Sequence, residues 1–250
     1  MRFRPLLNVA LAGLATATLA RTARAQDDTQ NARMADGLTA GDYVRVHGGL
    51  MSPVNAQGSL KNWNSGTTFG LAWENWQPSS GGVGIVGFGI GADYSTLPLN
   101  ATDFQTRFSG STNGNISAVN GSNAHILQIG LTTRFRIPSP FVMPSLSIGF
   151  GFLDWRPGVI HYTSDKSPGT TVEVAQQHRS GASLSFSGAL DKHIYDRVAV
   201  FGEASWVYGF TGYGSGLATP TGVCSNSGCD ILKNTSVGVV RGGLRVRAGR

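Results

Sequence analysis

Charge, cysteine and long apolar runs are all scarce in this chain of 250 residues. Only 14% of the residues are charged, and only two are cysteines. Beyond residue 25 no apolar run reaches the roughly 18 residues of a membrane-spanning helix, so that class of membrane protein is excluded. A structural zinc needs about four ligands, and no nearby Cys or His completes a set with the two cysteines. We therefore expect neither a metal nor a cofactor.

Residues 1–25 have the features of a secretory signal peptide. Arg2 and Arg4 make a positive start, an apolar run follows from Leu6 to Ala20, and Ala23-Arg24-Ala25 fits a small-x-small cleavage site. The alternative is a membrane anchor, but the run is short and includes polar residues. The predicted signal contains four arginines and no acid, so its removal lowers the net charge from +6 to +2. The basic composition is then no argument for nucleic-acid binding.

The segment from 124 to 152 shows a two-residue period. From 127 to 135 the odd positions are mostly large and apolar, and the even positions are glycine or polar. The prolines that follow Ile137 interrupt the pattern, because proline cannot donate to a β-ladder. From 146 to 152 apolar residues again alternate, now with serine and glycine. The segment is predicted to be a hairpin of two long strands.

The same period recurs along the chain and predicts eight strands. The connections between them alternate strictly between long and short, with long polar loops at 95–122 and 153–175 and a short turn at 191–196. This alternation is typical of an eight-stranded antiparallel up-and-down transmembrane β-barrel, an all-β fold. Residues 26–41 are expected to form a periplasmic tail, and 42–250 the outer-membrane barrel. The predicted strands are 43–50, 67–74, 86–94, 127–136, 145–152, 179–190, 198–208 and 240–247.

The two faces of these strands suit a barrel in lipid better than one in water. The face opposite the large apolar residues is mostly Ser, Gly, Thr and Gln with some charged residues, and such side chains suit a narrow interior. The apolar face is therefore expected to contact lipid. The main alternative is a soluble barrel of the lipocalin type. Such a barrel would need a bulky apolar interior and a charged exterior, whereas the bulky apolar face here is almost free of charge.

The chain resembles the eight-stranded outer-membrane barrels of the OmpA/OmpX type over roughly 42–248. The resemblance rests on this architecture and on local patterns at 200–209 and 243–247. It implies a location in the bacterial outer membrane, with membrane lipid and the barrel insertion machinery as partners. Barrels of this type usually end in an aromatic residue that the insertion machinery recognises, whereas this chain ends in Ala248-Gly249-Arg250.

Charged residues collect on the predicted inward face. An eight-stranded interior is just wide enough to be filled by side chains, so a packed polar plug of ion pairs is expected, with Glu203 and Arg241 at similar heights on adjacent strands. The alternative is a small anion path lined by the surplus of arginine. The predicted lumen network comprises Arg45, Glu74, Asp93, Arg134, Arg136, Arg179, Glu203, Arg241, Arg245 and Arg247.

The motif His178-Arg179-Ser180 is similar to the His and Ser of outer-membrane lipid A deacylases. Such an enzyme needs an acid to orient the histidine, and Glu173 and Asp191 are poorly placed along the chain. The sequence therefore predicts no enzyme and no catalytic residue. It predicts a structural or surface-binding barrel that could bind an extracellular ligand through four long loops. The alternative is a membrane-embedded hydrolase that modifies lipid A.

Two further groups have structural roles in this prediction. The cysteines at 224 and 229 are close together in an exported chain, so Cys224 and Cys229 are expected to form a disulfide in an outer loop. Amphipathic aromatic side chains settle at the depth of the lipid headgroups. The predicted aromatic girdle comprises Trp73 toward the short turns, and Tyr94, Trp206 and Tyr208 toward the long loops.

Overall fold

A computed structural model describes residues 40–54, 60, 62–78, 84–110, 114–137, 139, 141–174, 178–195, 197–211 and 235–248. The predicted signal peptide, nearly all of the predicted tail, and Cys224 and Cys229 lie outside these residues. No helix in the described residues is long and apolar enough to span a membrane.

The described residues contain eleven strands, of which eight form a barrel. The barrel strands are β1 (Gly41–Pro53), β2 (Gly66–Pro78), β3 (Ile85–Leu97), β5 (Ala124–Arg136), β6 (Met143–Arg156), β9 (Arg179–Tyr195), β10 (Val198–Phe210) and β11 (Thr235–Ala248). They close into an antiparallel barrel in the order β1-β11-β10-β9-β6-β5-β3-β2. Each strand pairs along most of its length with both neighbours, and β1 closes the barrel by pairing with β11. The prediction of an eight-stranded up-and-down barrel is therefore confirmed.

The exterior of the barrel is apolar, as the sequence predicts. Phe69 is 64% exposed, Leu131 62% and Phe150 64%, and all three point away from the lumen. Among the described strand residues, charged side chains face outward only near strand ends. A continuous apolar surface without charge is stable in hydrocarbon and costly in water, so the barrel spans a membrane. The outward-facing charged residues are Asp42, Asp154, Arg156 and Lys192.

Two segments that the sequence predicts to be plain loops are folded. The connection after β3 contains a helix, α1 (Ala101–Phe108), and a strand, β4 (Ile116–Gly121). The connection after β6 contains β7 (Ile160–Ser164) and β8 (Ser167–Val174), which join β4 in a three-stranded sheet of order β4-β7-β8. We call α1 and this sheet the cap.

An apolar cluster joins the cap to the mouth of the barrel. Phe104 of α1 packs 5.9 Å from the ring of Tyr162 in β7, and Trp63 packs edge-on against Trp155 of β6 at 6.4 Å. This cluster, which we call the apolar seal, fills the loop end of the barrel within the described residues, where the sequence prediction had only polar loops. Its buried members are Met51, Leu60, Trp63, Leu97, Phe104, Ile116, Ala124, Ile126, Leu153, Trp155, Ile160, Tyr162, Val174, Val207, Val237 and Val239.

The predicted turn at 191–196 is shorter than expected. β9 continues through Asp191 to Tyr195, and β10 begins at Val198. Alternation along β9 therefore directs Asp191 into the lumen, where its side chain is fully buried.

Candidate functional site

The lumen below the apolar seal holds a network of buried charges centred on Glu203 of β10. Its carboxylate accepts hydrogen bonds from Arg45 of β1 at 2.8 Å, Arg134 of β5 at 2.7 Å and Arg241 of β11 at 3.0 Å. Glu203 is only 3% exposed. Buried ions are tolerated when they are paired and hydrogen-bonded, and here one carboxylate of β10 links the neighbouring β11 and the more distant β1 and β5.

A second group lies closer to the short turns. Arg245 of β11 donates to Glu74 at 2.7 Å and also to Asp191. Trp76 donates from its indole N–H to Glu74 at 3.1 Å, and its ring lies under the guanidinium of Arg136 at 3.7 Å. These contacts connect β2, β5, β9 and β11 across the lumen.

Asp93 of β3 extends the network toward the loop end. It accepts a hydrogen bond from Arg241 at 2.8 Å and contacts the Nε2 atom of His47. A Cβ atom at Gly70 would collide with both Asp93 and His47. The glycine on the inward face of β2 therefore leaves the space that this part of the network occupies.

The structure brings together most of the predicted lumen residues. It adds Asp191 and His47, which the sequence prediction left out of the network although alternation places both on the inward face. The predicted residues that join the network are Arg45, Glu74, Asp93, Arg134, Arg136, Glu203, Arg241 and Arg245.

Two predicted members lie elsewhere. Arg179 is at the loop end of β9, opposite Trp155 of β6. Glu203 faces Ala189 on β9, and Arg179 lies ten positions before Ala189, a step of about 33 Å along the strand. Arg247 is near the other end of β11, where its guanidinium lies close to Gly41 at the rim of the barrel. Alternation shows which side chains point inward, but it does not show how far along the barrel axis they lie. The sequence alone therefore assigns both arginines to the network.

The aromatic residues predicted to form a girdle lie on the outer surface. Trp73 is 46% exposed and is the last apolar outward residue of β2 before the polar Asn75 and Gln77. Tyr94 hydrogen-bonds His125 at 2.7 Å. Trp206 stacks on Phe186 and contacts Tyr208 toward the loop end. Their placement is that of side chains at the borders of an apolar belt.

A second cluster of polar side chains lies on the outer surface just above this belt. Asp154 is the first polar outward residue of β6 after four apolar ones, and its carboxylate pairs with Nε2 of His178. Ser180 of β9 lies directly opposite Asp154 in the strand register. The sequence prediction sought the acid along the same strand, whereas the structure supplies it from the neighbouring strand.

The Asp154 carboxylate has a second partner beside His178. Arg156 donates to the same carboxylate at 2.8 Å. The cluster thus combines an exposed imidazole with a carboxylate that is buried beneath it, and the strand register places Ser180 opposite that carboxylate.

Known structures with similar folds are distant in sequence. The chain is similar to Neisserial surface protein A, at 13% identity and a TM-score of 0.43 over 83% of this chain and 97% of that one. It is similar to the attachment invasion locus protein Ail of Yersinia pestis, at 14% identity and a TM-score of 0.39 over 83% and 99%. It is also similar to the outer membrane enzyme PagL, at 12% identity and a TM-score of 0.37 over 83% and 99%. No protein-family model and no curated protein sequence matches the chain.

The closed barrel and its apolar exterior together define the type of protein. The chain is an eight-stranded barrel of the bacterial outer-membrane type. Its lumen is filled by ion pairs toward the short turns and by apolar side chains toward the long loops.

Proposed function

We propose that this chain is a non-conducting outer-membrane barrel that presents the folded cap as a binding surface outside the cell. The apolar cluster between the cap and the barrel mouth carries this proposal. It turns two long connections into one rigid surface, and rigid surfaces lose less entropy on binding than flexible loops do. The ion pairs below the seal brace the barrel wall, and in the described part of the barrel their side chains occupy the lumen.

The first test concerns conduction. Purified protein reconstituted in a planar lipid bilayer should give no stable channel currents, because the mouth is sealed and the lumen is filled. A steady, anion-selective conductance in the wild-type protein would instead support the path lined by arginine.

The second test concerns the cap. Cells that display the wild-type chain would be tested for capture on immobilised polysaccharides and extracellular proteins, beside cells that display Phe104→Ala. Phe104 is 2% exposed, so its truncation should loosen the cap and leave the barrel closed. Capture that requires Phe104, with equal surface levels of both proteins, supports binding through the cap. Capture that is unchanged would place any binding surface elsewhere.

A second candidate function is ester hydrolysis on lipid A, and the cluster of Asp154, His178 and Ser180 favours it. Because Asp154 engages Nε2 of His178, Nδ1 is the ring atom left for the Ser180 hydroxyl. Ser180 would attack an acyl-ester carbonyl while His178 accepts its proton and passes it to the lipid A hydroxyl that leaves. Water, deprotonated by His178, would then release the acyl group from the serine as a fatty acid. The cluster borders the lipid-facing belt, where such a substrate lies.

Mass spectrometry of lipid A from expressing cells distinguishes the two functions. A hydrolase would remove one acyl chain, and Ser180→Ala would restore the full mass, whereas Ser65→Ala, at an exposed serine of another loop, would not. Unmodified lipid A in cells with abundant wild-type barrel would leave the Asp154–His178 hydrogen bond with a structural role only.

A further inference from the structure

A row of outward-facing polar side chains crosses four barrel strands just above the apolar belt, on the side of the long loops. His125 of β5 lies directly opposite Arg156 of β6, and Thr96 of β3 lies opposite His125 on its other side. Thr67 of β2 continues the row, and its hydroxyl is hydrogen-bonded to that of Thr96 at 3.1 Å. Residues directly opposite each other on antiparallel strands have Cβ atoms about 4.5–5.5 Å apart, so the row is continuous.

Arg156 gives this row its positive charge. Its side chain is 67% exposed, whereas the side chain of Asp154, next to it on the same face of β6, is only 7% exposed. Nε of Arg156 donates to the Asp154 carboxylate at 2.8 Å, so that within the described residues both Nη groups remain for a second acceptor. The ion pair therefore presents its positive end to the surroundings of the barrel.

His125 adds a hydrogen-bond donor on the neighbouring strand. The hydroxyl of Tyr94 lies 2.7 Å from Nδ1 of His125, and the two rings are stacked. A hydroxyl that donates to Nδ1 leaves the ring proton on Nε2. Tyr94 thus orients the ring and leaves Nε2–H of His125 available to an acceptor that also binds Arg156.

The barrel surface below this row is apolar and exposed. Four residues closer to the short turns, Ile129 and Phe152 lie opposite each other on the same two strands and are 44% and 47% exposed. Four residues span about 13 Å of strand. A ligand that covers both regions therefore has an anionic end and a hydrocarbon end. The long loops of such barrels face the cell exterior, so this ligand belongs to the outer leaflet.

We propose that this row binds the phosphorylated headgroup of an outer-leaflet glycolipid of the lipid A class. The phosphate accepts hydrogen bonds from the Nη groups of Arg156 and from Nε2 of His125, and such charge-assisted bonds are strong. The sugar lies along the hydroxyls of Thr96 and Thr67, and the acyl chains lie on the apolar surface below. The site is on the barrel wall, so it is separate from the proposed role of the cap and requires no catalysis by Ser180.

Native mass spectrometry of the refolded barrel in detergent measures lipid retention. The barrel is incubated with lipid A that carries its phosphates, with the same lipid A after dephosphorylation, and with the first lipid plus an equimolar amount of inorganic phosphate. The phosphorylated lipid should be retained several-fold more strongly than the dephosphorylated one, and inorganic phosphate should leave its retention unchanged. Equal retention of the two lipids would overturn the proposal, and displacement by inorganic phosphate would overturn the assignment to a lipid.

Matched variants locate the site, once a heat-modifiability gel has shown that each of them folds. Arg156→Gln keeps a donor for Asp154 but removes the charge, and it should lower retention of the phosphorylated lipid to the level of the dephosphorylated one. Lys192→Gln removes the outward-facing cation of the described barrel strands on the short-turn side and should bind like the wild type. His125→Ala should weaken retention less than Arg156→Gln does. Equal retention by Arg156→Gln and Lys192→Gln would exclude the row as the site.

Two further variants separate this proposal from the functions proposed above. Phe104→Ala alters the cap and Ser180→Ala alters the candidate hydrolase, and both should retain phosphorylated lipid A like the wild type. Loss of an acyl chain would appear as a lower mass of the bound lipid, so binding and hydrolysis are read independently in the same spectrum. Loss of retention in Phe104→Ala would place the binding site in the cap and contradict the proposal.

Discussion

Glu203 and Arg241 lie directly opposite each other on β10 and β11, and Nε of Arg241 donates to the Glu203 carboxylate at 3.0 Å. Arg241 also donates to Asp93 of β3, so a single side chain spans the lumen from β11 to β3. The pair thus connects parts of the barrel that share no backbone hydrogen bond.

Loss of Glu203 should be among the most damaging single changes in the lumen. Glu203→Ala leaves three buried guanidinium groups without this acceptor, and breaking a buried ion pair costs about 3–5 kcal/mol. The free energy of unfolding by urea in detergent micelles measures the effect. Glu173→Ala, at an exposed acid of β8, is the control and should be nearly neutral.

The double change of Glu203 and Arg241 to Ala should recover part of this loss. Recovery will be incomplete because Arg134 still lacks the carboxylate to which it donates. A coupling energy well above the error of the measurement identifies the pair as interacting. Simple addition of the two single effects would show that the pairing contributes nothing.

A charge on the outer surface should impair the barrel in lipid. Ile129 is 44% exposed in the middle of the apolar belt, and an arginine at such depth costs about 2–4 kcal/mol on a barrel. Ile129→Arg should therefore lower the folded fraction in lipid vesicles, measured as the heat-modifiable band on a gel. Gln77→Arg, which is outward near the turn end of β2, should fold like the wild type. Equal effects of the two changes would contradict the position of the belt.

The cap should unfold separately from the barrel wall. Phe104→Ala removes a buried ring from the apolar cluster, at a cost of about 3–5 kcal/mol. Limited proteolysis should then cut between 98 and 123, while the barrel remains heat-modifiable. Thr102→Ala, at an exposed position of the same helix, is the control. Loss of the folded barrel in Phe104→Ala would show that wall and cap form one cooperative unit.

The disulfide between Cys224 and Cys229 remains a prediction from sequence, since both residues lie outside the described part of the chain. Mass spectrometry after native isolation with thiol alkylation should find neither cysteine labelled. The closed loop is short, so its contribution is about 2 kcal/mol on the chain-entropy model. Labelling of both thiols would contradict the prediction.

The barrel wall could be predicted because strand alternation repeats over many residues and each face has one environment. The three strands and the helix of the cap could not, because their apolar residues are few and separated by Ser, Thr and Asn. A weak signal was present at Ile160 and Tyr162, which alternate with polar residues. The sequence does not identify Asp154 as the partner of His178 for a different reason. Asp154 lies on an adjacent strand, and the sequence of one strand does not give its register with the next.

The packed mouth of the barrel also determines which surface positions of this protein tolerate substitution. Surface loops usually tolerate sequence change, but here Ile116, Ile160 and Tyr162 are packed in the apolar cluster. Exposed positions at the tip of the β7–β8 hairpin, around 166–171, are not part of that cluster. Within the described part of the cap, substitutions are therefore best tolerated at this hairpin tip, while the packed residues below it keep the shape of the surface constant.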